Sequence, residues 1–236
     1  MSEVLTEEHR AQLREARVML LFTPELCGAR EPEVVLRALL PEVDAVQVRC
    51  KPRADTPRRP GTPGPPAEAR ATFDWTRRAL ALCAELERPP LVLVDDRVDV
   101  ALALRSEGCA GVHLGRGDLD PRAARALVGD DLLLGLSTHD VGQVVAAEDA
   151  LVDYVGFGPV FATETKGYAR GLGPDTAWIA NAGAGLPLFP IGGIDLTNAH
   201  ALTEVGRAAV SSALLGAEDP ASAARLLRQA LVGERD

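Results

Sequence analysis

A single-domain (β/α)8 barrel is the fold this sequence predicts, and three observations carry it. Short apolar runs alternate with longer amphipathic ones, and the alternation repeats eight times. The unusual polar residues fall at or just past the ends of the short runs, where a barrel gathers them on one rim. The 236 residues also suit a small barrel, for which about 250 is typical.

In chain order, Thr6 to Arg17 reads as an extra amphipathic helix plugging or flanking the barrel's opposite end. Strands are expected at Val18 to Phe22, Ala45 to Arg49, Leu91 to Val94, Gly111 to Leu114, Leu132 to Leu136, Tyr154 to Phe157, Leu188 to Ile191 and Ala208 to Val210. Each is mostly continuous apolar sequence, as strands covered on both faces require. Helices are expected to begin near Glu31, Ala67, Val98, Pro121, Val141, Ala177, Asn198 and Pro220. Asp120 before Pro121 and Asp219 before Pro220 are start signals, because proline fits the first helical position and aspartate caps it. A doubly wound open sheet is the competing architecture. It usually places a glycine-rich turn after its first strand, whereas Thr23, Pro24, Glu25 and Leu26 follow here. One segment breaks the rhythm: residues 52–66 (PRADTPRRPGTPGPP) hold six prolines and two glycines where a short loop suffices. It is read as a tolerated surface insertion, on the face where a lid over the barrel mouth would also sit.

The net charge of -9 and pI near 5.0 argue against a nucleic-acid partner. A hydrophobic fraction of 47% is enough for one sizeable core and excludes disorder throughout. No apolar run reaches about 18 residues, and the opening MSEVLTEEHR is polar and acidic, so a cytoplasmic protein without a membrane partner is expected. Cys27, Cys50, Cys83 and Cys109 form no C-x-x-C pair and are expected to be reduced and buried. Nothing in the chain decides between a monomer and a homo-oligomer.

The rim residues carry the chemistry. Strand two ends in Gln47, Arg49 and Lys51, strand three runs into Asp95, Asp96 and Arg97, and strand four supplies His113 and then Asp118. Strand five gives Ser137, strand six leads to Thr163, Thr165 and Lys166, strand seven ends in Gly192 and Gly193, and strand eight in Ser211 and Ser212. Lys51 and Lys166 are the chain's only lysines, and both fall on this rim. An ammonium is a compact point charge, suited to reaching one phosphate oxygen in a tight pocket. Asp96 and Asp118, at the ends of adjacent strands, can share a hard cation such as Mg2+, which takes few carboxylates and completes its shell with phosphates and water. That combination points to a diphosphate substrate. Gly192, Gly193, Ser211 and Ser212 match the phosphate site that barrels build after strands seven and eight. His113 is assigned a supporting binding role. His139 is a candidate cap for the fifth helix, and His9 and His200 read as helix-surface residues.

Seven motifs in order, VQVRCK (Val46 to Lys51), VDDRVDVAL (Val94 to Leu102), GVHLGRGDL (Gly111 to Leu119), GLSTH (Gly135 to His139), YVGFGPVFATETK (Tyr154 to Lys166), IGGI (Ile191 to Ile194) and VSSAL (Val210 to Leu214), together resemble the thiamine-phosphate synthase family. The resemblance runs from about Val18 to Leu231, omitting the proline-rich insertion. It implies a (β/α)8 transferase that joins hydroxymethylpyrimidine diphosphate to a thiazole phosphate and releases pyrophosphate with magnesium. On that resemblance Gln47 contacts the pyrimidine, and Arg49, Lys51, Ser137 and Lys166 the diphosphate. Asp96 and Asp118 hold magnesium, and Thr163, Thr165, Gly193 and Ser211 hold the thiazole phosphate. Asp95 stands where the family usually has Asn, adding a negative charge beside the diphosphate site unless Arg97 or the metal offsets it. Cys50 replaces the usual Glu and is expected on the strand's other face. Three other readings remain open: a thiazole tautomerase of the same superfamily, an aldolase-like barrel using Lys166 as a Schiff base, and a non-catalytic barrel that binds thiazole phosphate.

Overall fold

The computed structural model describes residues 2–51, 68–163 and 170–233. Eight parallel strands form the sheet: β1 (Val18–Phe22), β2 (Ala45–Val48), β3 (Leu91–Asp95), β4 (Gly111–Leu114), β5 (Leu133–Thr138), β6 (Tyr154–Phe157), β7 (Leu188–Pro190) and β8 (Ala208–Val210). Their order is β7-β6-β5-β4-β3-β2-β1-β8, and a parallel bridge from Ile191 to Ala209 closes the ring. The architecture is the expected (β/α)8 barrel. The helices are α1 (Ser2–Glu15), α2 (Pro32–Leu39), α3 (Ala69–Cys83), α4 (Val98–Leu104), α5 (Pro121–Val128), α6 (Val141–Ala147), α7 (Pro174–Ala182), α8 (Ser212–Leu215) and α9 (Pro220–Val232).

Side chains alternate across each strand, and the alternation builds two distinct cores. Val18, Leu20, Val46, Val48, Val92, Val94, Val112 and Leu134 point outward and pack under the helices. Met19, Leu21, Ala45, Leu91, Leu93, Leu133, Tyr154, Phe189 and Ala209 point inward and fill the barrel, joined from below by Leu13 and Ala16. The N-terminal helix is therefore the plug of the barrel's lower end, beginning at Ser2 rather than Thr6. Gly135 in the interior makes room for a neighbour: a methyl group there would lie 2.2 Å from the Tyr154 ring.

Helix starts follow side-chain capping. Asp120 accepts from the backbone N–H groups of Arg122 and Ala123, Asp140 from that of Gln143, and Asp219 from that of Ser222. Asp140, not His139, is thus the cap of the helix after β5. The helix expected near Ala177 starts earlier, at Pro174, where proline occupies the first turn behind Gly173. The one expected near Asn198 is a single 3-10 turn, Ala199–Leu202. Asp195 accepts from the Thr197 N–H and hydroxyl while Asn198 accepts from the Asp195 N–H, a local network that competes with α-helix formation. Strands two and seven each end one residue earlier than expected, and β5 runs on to Thr138. The proline-rich segment 52–66 lies outside the described residues.

Candidate active site

One step up each strand the barrel's interior changes from apolar to polar. Above Ala45 comes Gln47, above Leu93 comes Asp95, above Gly111 comes His113, and above Gly135 comes Ser137, each two residues on and therefore on the same inner face. Gln47, Asp95 and His113 are all buried. Because a buried polar group without a partner is costly, these side chains are expected to bond one another, and they do. Gln47 Nε2 donates to Asp95 Oδ1 at 2.6 Å. The His113 ring bridges Ser137 Oγ at 3.0 Å through Nε2 and the Tyr154 hydroxyl at 3.1 Å through Nδ1.

The charged residues form the next layer outward. Lys51 Nζ sits 2.5 Å from Asp96 Oδ2 and 3.4 Å from Asp95 Oδ2, while Arg49 Nε lies 3.7 Å from the same Asp95 oxygen. The extra charge of Asp95 is therefore offset by Lys51, Arg49 and the Gln47 amide, and not by Arg97, which pairs with Asp99 instead. Burial works against the Lys51 ammonium, but Asp95 and Asp96 together raise its pKa above the ordinary value.

Asp96 occupies the left-handed region at φ 62, rare for a residue with a side chain. Its backbone N–H donates to the His113 carbonyl at 2.8 Å, and the turn opens α4. Burial first, then the charge of Asp95, raise its carboxyl to about 7 despite Lys51, and a hydrogen-bond contact with Asp118 adds to the rise. Asp118 is itself fixed by the Gly115 N–H, which donates to its Oδ2 at 2.7 Å.

Two acids in contact beside a third make a place where a cation is favoured. Fully ionised, Asp95, Asp96 and Asp118 would carry -3 against the +2 of Arg49 and Lys51; the raised Asp96 carboxyl, in hydrogen-bond contact with Asp118, instead shares a proton near neutral pH that a bound cation would displace. No three His, Cys, Asp or Glu among the described residues converge as a ready-made metal cage. The donor set fits magnesium, which uses one or two carboxylates and takes its remaining oxygens from phosphates and water.

Across the mouth, the chain after β6 pairs with the chain after β7. Val160 N–H donates to Ile191 O at 2.8 Å and Phe161 N–H to Gly192 O at 3.0 Å. Gly192 and Gly193 both have positive φ, and a methyl group on Gly193 would lie 2.3 Å from Ala162 O. The double glycine is what lets Thr163's loop lie against β7. Ser211 Oγ donates to the Leu21 carbonyl at 2.8 Å, so its proton is engaged with β1, and Ser212 opens α8. Thr165 and Lys166 lie outside the described residues.

The structure thus brings Gln47, Arg49, Lys51, Asp95, Asp96, Asp118, His113 and Ser137 to one end of the barrel, with Thr163, Gly192, Gly193, Ser211 and Ser212 at the ends of the strands opposite. Tyr154 was not singled out by the sequence. Its signal was the inward-facing Gly135 paired to it, a vacancy that only a large neighbour fills. His9 is not a plain surface residue: its Nδ1 is buried without a hydrogen bond in the described structure. Cys50 packs in the outer core, as expected, and burial raises its thiol to about 12.

Residues 18–214 match the family profile described as thiamine monophosphate synthase. The thiamine-phosphate synthase of Synechococcus sp. strain WH7803 is 38% identical over 224 residues, covering 92% of this chain and 58% of that protein. That of Azorhizobium caulinodans is 41% identical over 167 residues, covering 70% of this chain and 76% of its relative. The chain spans about three fifths of the length of the Synechococcus relatives it matches. Among solved structures, a thiamine phosphate pyrophosphorylase from Pyrococcus furiosus superposes with a TM-score of 0.74 at 28% identity, covering 94% of this chain and 96% of that one. A 3-hexulose-6-phosphate synthase from Salmonella typhimurium, at TM-score 0.62 and 18% identity, shares the fold.

Proposed function

Since the chain belongs to the thiamine monophosphate synthase family, we propose that it condenses hydroxymethylpyrimidine diphosphate with a thiazole phosphate, giving thiamine phosphate and pyrophosphate. The observation that carries this reading is Lys51, held between Asp95 and Asp96 at the mouth with Asp118 against Asp96. A substrate bearing a diphosphate needs positive charge where its leaving group departs, whereas neither the Schiff-base aldolase nor the tautomerase reading needs a diphosphate half of the site.

In the reaction the C–O bond between the pyrimidine methylene and the diphosphate breaks, its electron pair leaving with pyrophosphate. The thiazole nitrogen supplies the pair for the new C–N bond. The electron-rich aminopyrimidine stabilises the methylene cation, so no protein nucleophile is required. The chain's residues hold the two substrates in line and neutralise the charge that develops. Lys51 and Arg49 face the diphosphate, with Lys166 assigned to it by family resemblance. Gln47 orients the pyrimidine, and the His113–Ser137 bond aims the serine hydroxyl at the same anion. Thr163, Thr165, Gly193 and Ser211 are assigned to the thiazole phosphate. Asp96 and Asp118 would hold a magnesium ion, which supplies neutralisation of the departing diphosphate.

The crowding of Asp95, Asp96 and Asp118, which raises the Asp96 carboxyl to about 7, supports the same reading: a divalent cation arriving with the diphosphate would relieve it. The reaction's home in the cytoplasm is part of this proposal; no helix among the described residues is long and apolar enough to cross a membrane. Release of pyrophosphate from the two precursors, with and without magnesium, tests the proposal. Release that needs both precursors and the metal is expected. Tight thiazole phosphate binding with no release would make the protein a non-catalytic barrel.

A further inference from the structure

Arginine collects at the end of the barrel remote from the candidate active site. Arg17 immediately precedes β1 and Arg207 immediately precedes β8, so both stand on the strands' N-terminal rim, and Arg14 reaches it from the last turn of α1. With Glu15, Gly206 and Asn181 of α7 they line a cleft of about 280 Å³.

Arg207 is held rigidly there. Its Nε donates to Ala16 O at 2.9 Å, an Nη donates to the Arg14 carbonyl, and its guanidinium lies 5.9 Å from the centre of the Phe189 ring. Arg17 Nη1 makes one long contact, 3.4 Å, to Gly206 O. Among the described residues Arg14, Arg17 and Arg207 form no ion pair, although ten other arginines do. Asp44, an acid on this rim, accepts from the backbone N–H groups of Arg17 and Val18, and its charge is paired with Arg228 at 2.9 Å. Three guanidiniums against the single carboxylate of Glu15 leave the lining at +2, in a chain whose net charge is -9. Burial and then the charge of Arg17 lower the basicity of Arg207, and the opposing charge of Glu15 does not cancel them.

We propose that this cleft is a second anion site, separate from the active site, that takes a phosphate-type oxyanion. The guanidiniums come from three separate places in the fold: the last turn of α1, the link before β1 and the link before β8. A tetrahedral oxyanion offers acceptor oxygens in several directions, whereas the two oxygens of a carboxylate serve one fork. The site is distinct from the phosphate-binding residues of the mouth: Arg207 and Ser211 lie at opposite ends of β8, roughly 13 Å apart along the strand.

Isothermal titration of the full chain with inorganic phosphate and with pyrophosphate tests this. Beside the diphosphate and phosphate sites of the mouth, a further class is expected that is unchanged in Lys51→Gln and weakened about tenfold or more in Arg17→Gln, as for loss of a charge-assisted hydrogen bond. Arg14→Gln, at an exposed position, should weaken the same class, and circular dichroism should show both arginine variants folded. A wild type in which no class of site responds to either arginine variant overturns the proposal. A third arm asks whether the chain's own acids fill the cleft, because Leu231 O approaches Gly206 and the sequence continues to Glu234 and Asp236. Unchanged affinity in Glu234→Gln/Asp236→Asn supports a free anion, whereas binding at the cleft seen only in that variant overturns it. None of these outcomes depends on pyrophosphate release, so the anion site and the synthase reading stand or fall separately.

Discussion

At the scale of single residues, Asp95 sets the electrostatics of the mouth. It is buried, it bonds Gln47, and its second oxygen faces Lys51 and Arg49. Asp95→Asn keeps an oxygen for the Gln47 amide and removes one negative charge from beside Asp96, whose carboxyl that charge helps to raise. The variant should keep its melting temperature within a few degrees and bind pyrophosphate several-fold more tightly, read as a lower inhibition constant. Weaker binding would show that Asp95 orients Lys51 rather than opposing the anion. Lys51→Ala should cut turnover by about 10²-fold or more, the scale of losing one preorganised charge contact, with the far-ultraviolet circular dichroism unchanged. Lys166→Ala should behave alike, and near-normal turnover there would remove Lys166 from the reaction. The residue types on the rim were legible from sequence because lysine is so rare in this chain. The pairing of Lys51 with both Asp95 and Asp96 was not, since it depends on the left-handed turn that aims Asp96 inward.

At the scale of elements, α1 is the part whose role the sequence left between plugging and flanking. Leu13 is 1% exposed and packs with Met19, Leu91 and Leu133 inside the barrel, so α1 closes its floor. Arg10 adds an ion pair with Asp153 at 2.9 Å. Leu13→Ala should destabilise the protein by about 2–5 kcal/mol in urea titration, leaving activity intact below the transition. His9 gives the same helix a pH dependence. Burial lowers its pKa below the ordinary 6.5, against the opposing charge of Glu8. The folded state therefore prefers the neutral ring: that stability is fully present above pH 6.5 and is lost as pH falls below it. Between pH 6.5 and 5 the melting temperature of the wild type should fall more steeply than that of His9→Leu, and parallel curves would discard the argument. The late-chain helices were the least legible elements. Gly173-Pro174 reads equally as a turn or a helix start, and the Asp195 network halts at one 3-10 turn what the apolar spacing suggested would go on.

At the scale of the whole molecule, the eightfold ring places the four cysteines in the wall beneath the helices, all free and buried. Burial raises the thiols of Cys50 and Cys109 to about 12 and that of Cys83 to about 11, so little thiolate exists at neutral pH. The native protein should react with a disulfide reagent far more slowly than glutathione at pH 8, and release four thiol equivalents once unfolded; a fast native equivalent would mark a thiol reached through local opening. The repeat itself was readable without coordinates. Continuous apolar runs of four or five residues can be satisfied only by strands covered on both sides, and eight such runs separated by amphipathic ones leave a barrel as the compact solution. Sequence alone therefore determined the architecture, the rim on which polar side chains gather and the family it resembles, because those follow from local periodicity and motif order. Tertiary structure alone decided which charges meet: that Arg97 turns away to Asp99 while Lys51 holds two aspartates, that Tyr154 fills the space Gly135 leaves, and that Arg17 and Arg207 share a cleft. Such encounters depend on strand stagger and backbone turns of a few ångströms, and charge interactions vary steeply over that distance.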